Sequence, residues 1–175
     1  MAHDFAWVTH HSGFIPGVAL IVAVAVLLRL VRRSIWQFAL VTLPGTIAHE
    51  GAHLIVGMFL GANPSKVTLW PKRVGKYWQL GAVTFGDINL ANGMFVTMAP
   101  LMLLPLSYAI FANEMLELWS GGQWGWWLLT GYVTGNILFA AMPSAGDFRL
   151  GARSIVFWLV LLVGLVAGAW LLRDL

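Results

Sequence analysis

The 175-residue chain is the size of one domain, and 59% of its residues are hydrophobic whereas only 10% are charged. About a quarter of the residues in soluble proteins are charged, so this composition predicts an integral membrane protein. The net charge of +3 is too small to indicate a nucleic-acid partner, and the absence of cysteine excludes disulfides and thiolate metal sites. Any metal would therefore be held by histidine, aspartate or glutamate.

The amino-terminal segment contains three histidines without a helical or hairpin register, and we interpret it as a solvated tail: His3, His10 and His11. The segment has no lysine or arginine, unlike the basic start of a signal peptide. The apolar run that follows does not end in the small residues of a signal-peptidase cleavage site. We therefore predict a retained first span.

Apolar runs predict an all-α integral membrane protein with about five transmembrane helices, in one membrane domain that covers residues 1–175. The expected spans are residues 13–31, 35–60, 93–112, 124–146 and 154–172. Pro100 and Pro105 are expected to bend the third span, because proline removes a helical hydrogen bond. A short loop with Glu114 and Glu117 is expected to follow it.

The chain between the second and third spans predicts a small interfacial β-hairpin. Residues 67–70 and 77–85 are typical of two strands, and the turn-rich residues 71–76 join them. Trp70 and Trp78 have amphipathic rings that suit the level of the lipid head groups. Simple anchoring at the interface and contact with a substrate explain these rings equally well.

An HExxH sequence, His49-Glu50-Gly51-Ala52-His53, lies within the second span. Residues four apart share one face of a helix, so both histidines can bind one metal ion with Glu50 beside it as general base. Each charged group at bilayer depth costs roughly 2.5 kcal/mol or more unless it is paired, and a metal is such a partner. The alternative is a polar cluster that joins helices by hydrogen bonds.

A catalytic zinc binds three protein ligands and one water, so a third ligand is expected among the acidic residues. Spans two and four run in the same direction, which places Asp147, after the break that ends span four, on the side of the histidines. Asp87 also lies on that side, whereas Glu114 and Glu117 are expected on the other. We choose Asp147, and the alternative is a solvated acid paired with a nearby arginine.

An HExxH helix, followed two spans later by an aspartate after a proline-containing break, resembles the site-2 protease family of intramembrane zinc metalloproteases. The resemblance covers residues 35–150, the expected catalytic core, and implies a divergent, minimal member of that family. It implies that Zn²⁺ is held by His49, His53 and Asp147, with Glu50 as the catalytic base. The hairpin after the HExxH helix also fits the family.

The resemblance is incomplete in the third motif, where the family commonly has asparagine, prolines and then Leu-Asp-Gly. Here Asn136 and Pro143 precede Asp147 with a different spacing, and the aspartate lies in Ala-Gly-Asp-Phe. The middle span has Ala99-Pro100-Leu101 without the following asparagine that the family often carries. Asn136 is a candidate substrate-binding residue that donates a hydrogen bond to substrate or oxyanion. The alternative is a role in joining helices, which is common for a lone asparagine in a span.

These features predict an enzyme that hydrolyses a peptide bond in or near a transmembrane segment of a membrane-protein substrate. The substrate must unwind locally, and a strand edge of the hairpin is suited to hold it extended. One alternative is a catalytically silent membrane scaffold of the same fold, which would not need Glu50. The other is a metal or proton transporter, which would need more polar residues across the bilayer.

The expected location is a lipid bilayer, as a multi-pass protein with its active site on the cytoplasmic side. Basic residues are somewhat more numerous on the active-site side, although the cluster at Arg29, Arg32 and Arg33 lies on the other. The family resemblance also points to the cytoplasmic side, and we follow it. A regulatory membrane partner or a homo-oligomer is compatible with the sequence, which shows no soluble regulatory domain.

Overall fold

The computed structural model describes residues 12–75 and 77–173, and this part of the chain is mostly helical. The predicted solvated tail with its three histidines lies outside the described residues. The α-helices are α1 (Phe14–Leu30), α2 (Ile35–Val41), α3 (Leu43–Phe59), α4 (Gly93–Met98), α5 (Leu103–Ile110), α6 (Leu116–Ser120), α7 (Trp124–Ala140) and α8 (Ala145–Arg173). Short 3₁₀ and π segments connect some of them: Val31–Arg33, Ala99–Met102 and Phe111–Met115.

Within the described residues, three helical segments are long and apolar enough to cross a membrane: Phe14–Arg33, Gly93–Ser120 and Ala145–Trp170. Large apolar side chains on α8 remain exposed, such as Val160 at 67% and Trp170 at 65%. Exposure on this scale indicates a membrane or protein interface. The helices α3 and α7 have 17 residues each, about 25 Å at 1.5 Å per residue. Three of the five predicted spans therefore correspond to helical segments long and apolar enough to cross a membrane, and the five-span arrangement stays a prediction.

Two predicted boundaries are wrong because local capping groups, and not hydropathy, decide where these helices begin and end. Glu114 and Glu117 lie inside the third helical segment, which continues to Ser120 instead of giving way to an acidic loop. Gly122 ends this segment with φ of 66°, a left-handed conformation typical of a residue just beyond a helix. The last helix begins at Ala145, earlier than the predicted residue 154.

The strands form two antiparallel pairs, one inside the other. The outer pair consists of β1 (Pro64–Thr68) and β4 (Ala82–Phe85), and the inner pair of β2 (Lys72–Val74) and β3 (Tyr77–Gln79). The prediction of a small sheet at this point of the chain is confirmed, but the single predicted strand 77–85 is divided into β3 and β4. Leu80 and Gly81 separate them. The ring of Trp70, which lies between β1 and β2, contacts that of Trp36 on α2 at 5.8 Å between centroids.

Helices α3 and α7 run in the same direction, as the sequence predicted. The hydroxyl of Tyr132 on α7 donates to the carbonyl of Val41 at 2.6 Å, just before α3 begins. Further along, Gly45 of α3 faces the backbone of Asn136, and His49 reaches the carbonyl of Ala140. These contacts bring the HExxH part of α3 level with the end of α7.

Helix α8 is attached to the start of α4 through Ser154. Its hydroxyl donates to the carbonyl of Leu90 at 2.8 Å and accepts from the N–H of Met94 at 2.7 Å. The indole N–H of Trp158 donates to the carbonyl of Ala91 at 3.2 Å. The first turns of α8 are therefore held beside α4, which positions Asp147.

The loop between the sheet and α4 depends on a buried amide. Asn92 is 5% exposed, and its Nδ2 donates to the carbonyl of Asp87 at 2.9 Å and to that of Leu60 at 3.4 Å. Its Oδ1 accepts from the N–H of Asn89 at 2.9 Å. The amide thereby joins the end of α3 to the start of α4. Helix α3 carries the two histidines, and α4 provides the carbonyl that contacts His53.

We expect Asn92→Ala to lower the free energy of unfolding by about 1–3 kcal/mol, because it removes three hydrogen bonds between the buried amide and the backbone. The measurement is denaturant unfolding of the detergent-solubilised protein. Asn113→Ala is the matched control, since the exposed Asn113 amide donates only to Ala109 of its own helical segment. Equal losses in the two variants would contradict the role given to Asn92.

Candidate metal centre

The two histidines of α3 are oriented by backbone carbonyls from two other helices. Nδ1 of His49 lies 2.7 Å from the carbonyl oxygen of Ala140, at the end of α7. Nδ1 of His53 lies 2.7 Å from that of Val96 on α4. A carbonyl oxygen can only accept, so each Nδ1 carries the proton and each Nε2 presents a free lone pair. This arrangement is typical of histidines that bind metal through Nε2.

The three candidate ligands converge on one point. The Nε2 atoms of His49 and His53 are 3.2 Å apart. The carboxylate of Asp147 places Oδ2 3.5 Å from Nε2 of His49, and Oδ1 3.3 Å from Nε2 of His53. The ligand atoms all lie within 4.8 Å of one another. The structure thus brings together the three residues that the sequence singled out.

The chemistry of this donor set fits a divalent cation. In the neutral imidazoles neither Nε2 carries a proton, so two lone pairs face each other and an acidic group completes the triangle. Two nitrogen ligands at about 2.1 Å from a tetrahedral zinc are separated by roughly 3.4 Å, close to the observed spacing of the histidines. A cation between the three groups would offset the repulsion between the lone pairs and the carboxylate.

Asp147 reaches the histidines from the first turn of α8 instead of from unwound backbone at the end of α7. Its Oδ2 accepts from the N–H of Ser144 at 2.6 Å, and its own N–H donates to Oγ of Ser144 at 3.2 Å. This reciprocal pair is a capping box with aspartate in the acidic position. The spacing Ser144-x-x-Asp147 is thus a sequence signal for the start of α8, and hydropathy alone does not contain it.

The other acidic residues considered as ligands are not part of this group. Within the described ranges, the candidate ligand set contains Asp147 but not Asp87, Glu114 or Glu117. In the same part of the chain, the carboxylate of Asp147 lies within 4 Å of the imidazoles of His49 and His53 and forms no ion pair with an arginine. The structure therefore favours Asp147 over the alternatives that the sequence left open.

Glu50 lies beside the histidines and is nearly enclosed. Its side chain is 7% exposed, and it lines the same cavity as His49, His53 and Asp147. The cavity has a volume of about 850 Å³ and extends between the sheet, the first half of α3 and the end of α7. Residues from β4 and Trp78 of β3 form one wall. An acidic side chain is thus available next to the candidate ligands.

Asn136 also lines the cavity, but with a different hydrogen-bonding role from the predicted one. The side chain is 1% exposed, and its Nδ2 donates to the carbonyl of Tyr132 at 3.0 Å. Its Oδ1 is buried and has no hydrogen-bond partner among the described residues. The unpartnered atom is therefore an acceptor, and donation by the Asn136 amide to substrate or oxyanion stays a prediction.

Gly45 allows α3 and α7 to approach each other beneath His49. A Cβ at this position would lie 2.5 Å from the carbonyl oxygen of Asn136 and 3.1 Å from the Cβ of Ala140. Gly45 precedes His49 by one helical turn on the same face, a spacing from which a close contact at this level of the helix could have been predicted. The sequence contains no comparable signal for the contacts that the carbonyls of Ala140 and Val96 make with the histidines.

We expect Gly45→Ala to destabilise the protein by about 1–3 kcal/mol, because the added methyl group forces α3 and α7 apart. Movement of Ala140 away from His49 should also weaken metal binding, by about tenfold or more. Thermal unfolding and competition with a zinc indicator measure the two effects. Gly51→Ala on the same helix is the control, since a Cβ there meets nothing within 4 Å. If Gly45→Ala left both the stability and the zinc affinity unchanged, the close packing of the two helices would be contradicted.

Comparison of the chain with protein-family models, with curated proteins and with solved structures found no match. The site is therefore characterised by its own geometry. His49, His53 and Asp147, on two helices, form a group that could hold a metal ion.

Proposed function

We propose that the protein is an intramembrane zinc metalloprotease, similar to the site-2 protease family, with residues 35–150 as its catalytic core. The observation that carries this proposal is the convergence of His49, His53 and Asp147, with Glu50 in the same cavity. Three protein ligands are the number that catalytic zinc sites use, whereas structural zinc sites use four. A nearby carboxylate outside the ligand set is what a hydrolase needs in addition.

Zinc would be held by Nε2 of His49, Nε2 of His53 and the carboxylate of Asp147. When bound, zinc supplies a Lewis acid that makes a water molecule nucleophilic near neutral pH. The carbonyls of Ala140 and Val96 hold the imidazole rings in the required tautomer and orientation. The Ser144 cap does the same for Asp147.

Glu50 is the general base and acid in this proposal. Its carboxylate takes a proton from the attacking water and delivers it to the leaving nitrogen of the scissile peptide bond. The side chain is not needed to hold a metal, and burying it has a cost in free energy. Its place beside the ligands is therefore better explained by catalysis than by a silent scaffold.

The substrate would enter the cavity as an extended segment of a transmembrane protein. A helix hides its carbonyls in internal hydrogen bonds, so the scissile segment must unwind before it can react. One edge of β4 pairs with β1, while Ala82, Val83 and Phe85 line the cavity. An unwound segment can add to this strand by β-augmentation. In this proposal Asn136 contributes to substrate binding only if the segment exposes its Oδ1, which is buried and has no partner among the described residues.

The membrane arrangement that goes with this function is multi-pass, with α3 and α7 as the second and fourth of five spans. The apolar side chains Phe38 and Phe139 in the cavity wall suit a substrate drawn from the bilayer. We place the active site on the cytoplasmic side, following the family resemblance. A regulatory membrane partner or a second copy of the chain would then act from within the bilayer.

The proposal is tested with purified protein reconstituted in liposomes together with single-span substrates tagged at both ends. We expect cleavage of at least one substrate within or next to its span, and loss of cleavage when a zinc chelator is added. Re-addition of zinc should restore it. Bound zinc without cleavage of any substrate would favour the silent scaffold, and zinc flux into the liposomes would favour the transporter.

A further inference from the structure

The short link between β3 and β4 lies directly against the side chain of Glu50. A Cβ at Gly81 would lie 2.6 Å from Oε1, 2.7 Å from Cγ and 2.9 Å from Cδ of Glu50. Real Cβ atoms essentially never lie closer than 3.0 Å to a heavy atom outside their own residue and its two chain neighbours. The backbone of residue 81 lies so close to Glu50 that the side chain of any larger residue at this position would collide with the carboxylate.

The contact, and not the backbone conformation, makes glycine necessary at this position. Gly81 does not have the positive φ that marks Gly61, Gly75 and Gly122. An alanine at residue 81 would therefore cause no backbone strain of its own. The close approach to Glu50 is the feature that a side chain would disturb.

Glu50 is thus enclosed from two directions. On one side are His49 and His53 of its own helix, and on the other is the backbone of Gly81, while Val83 lines the same cavity. A glutamate has three rotatable side-chain bonds, whereas a general base must lie about 2.6–3.2 Å from the proton that it takes. A rigid wall of backbone reduces the number of positions open to the carboxylate.

We propose that Gly81 is a positioning residue for Glu50: its bare backbone forms the wall that holds the carboxylate beside the metal ligands. This inference rests on the proposed function only for the role of Glu50 as base. The contact itself is a property of the fold. A side chain at residue 81 would push the carboxylate away from its place without touching the ligands.

The first test is a cycle of thermal unfolding measurements on metal-free protein in detergent, which needs no activity. Gly81→Ala should lower Tm by about 3–10 °C, because the added methyl group collides with Glu50. In a Glu50→Ala background, the same substitution should have almost no effect. In a Glu50→Gln background the loss should persist, since glutamine has the same shape as glutamate.

The second test uses the reconstituted enzyme and separates kcat from KM. Gly81→Ala should lower kcat about 100-fold with little change in KM or zinc content, as expected for a misplaced general base. Gly86→Ala is the matched control in the same region, because the nearest atom to a Cβ there is 3.6 Å away, on Asn63. It should keep the kcat of the wild type.

A loss of Tm that is the same in all three Glu50 backgrounds would overturn the inference, and so would a normal kcat in Gly81→Ala. If the wild type cleaves no substrate but the unfolding cycle shows the expected coupling, the proposed function fails while the packing of Gly81 on Glu50 stands. If the wild type cleaves substrates and the coupling is absent, the inference fails alone. The two outcomes are therefore distinguishable.

Discussion

Asp147→Ala is expected to lower the zinc content of the purified protein from about one ion per chain to almost none. The substitution removes one of three ligands and leaves the Nε2 atoms of His49 and His53 as a two-ligand site. Loss of an outer partner of a ligand already costs about 10–100-fold in affinity, so loss of a ligand should cost more. Elemental analysis of the detergent-purified protein gives the zinc content directly.

Two controls separate ligation from the other roles of this region. Ser144→Ala removes the hydroxyl that accepts from the N–H of Asp147 but keeps the backbone N–H that donates to its carboxylate, so it should retain most of the zinc. Asp87→Ala removes an acidic side chain that is outside the ligand group and should retain all of it. If Ser144→Ala lost as much zinc as Asp147→Ala, Asp147 would support the site by stabilising the start of α8 and not by binding the metal. Zinc retained in Asp147→Ala would assign the third position to another group.

Glu50→Gln is expected to leave the zinc content unchanged and to lower kcat by about 10²–10⁴-fold. Glutamine fills the same space against Gly81 but cannot take a proton from water at neutral pH. The measurement is the rate of cleavage of a tagged single-span substrate in liposomes, together with the zinc content of the same sample. Glu114→Gln, which changes an acid outside the ligand group, should keep the activity of the wild type.

The possible results for Glu50→Gln have different consequences. Loss of cleavage with zinc retained supports Glu50 as base and separates a protease from a silent scaffold. Cleavage at the normal rate would show that another group moves the proton, and Glu50 would then be a structural residue. Loss of both zinc and cleavage would show that Glu50 is needed to form the metal site.

The candidate ligands could be predicted from the sequence because the relevant information is local or topological. His49 and His53 are one helical turn apart, so any helix at this position places them on one face. Asp147 followed from the direction of the spans, since α3 and α7 run in parallel and the end of α7 lies level with the HExxH part of α3. Apolar runs likewise predicted the helices, and β-prone segments predicted the small sheet.

The boundaries of helices were harder to predict because hydropathy does not report them. The segment that ends at Ser120 includes Glu114 and Glu117, whose charges suggested a loop, and it is stopped by the glycine turn at Gly122. The start of α8 depends on the Ser144 cap and not on the apolar run that begins later. Capping chemistry decided both positions.

The orienting groups around the site belong to the tertiary structure. The sequence does not indicate that the carbonyls of Ala140 and Val96 contact the histidines, because every residue carries the same backbone oxygen. Gly81 and Glu50 are far apart in the chain, and nothing local to Gly81 shows that it must remain without a side chain. Residue type and spacing determined which groups can bind a metal and move a proton. The packing of distant backbone against α3 decided how those groups are held.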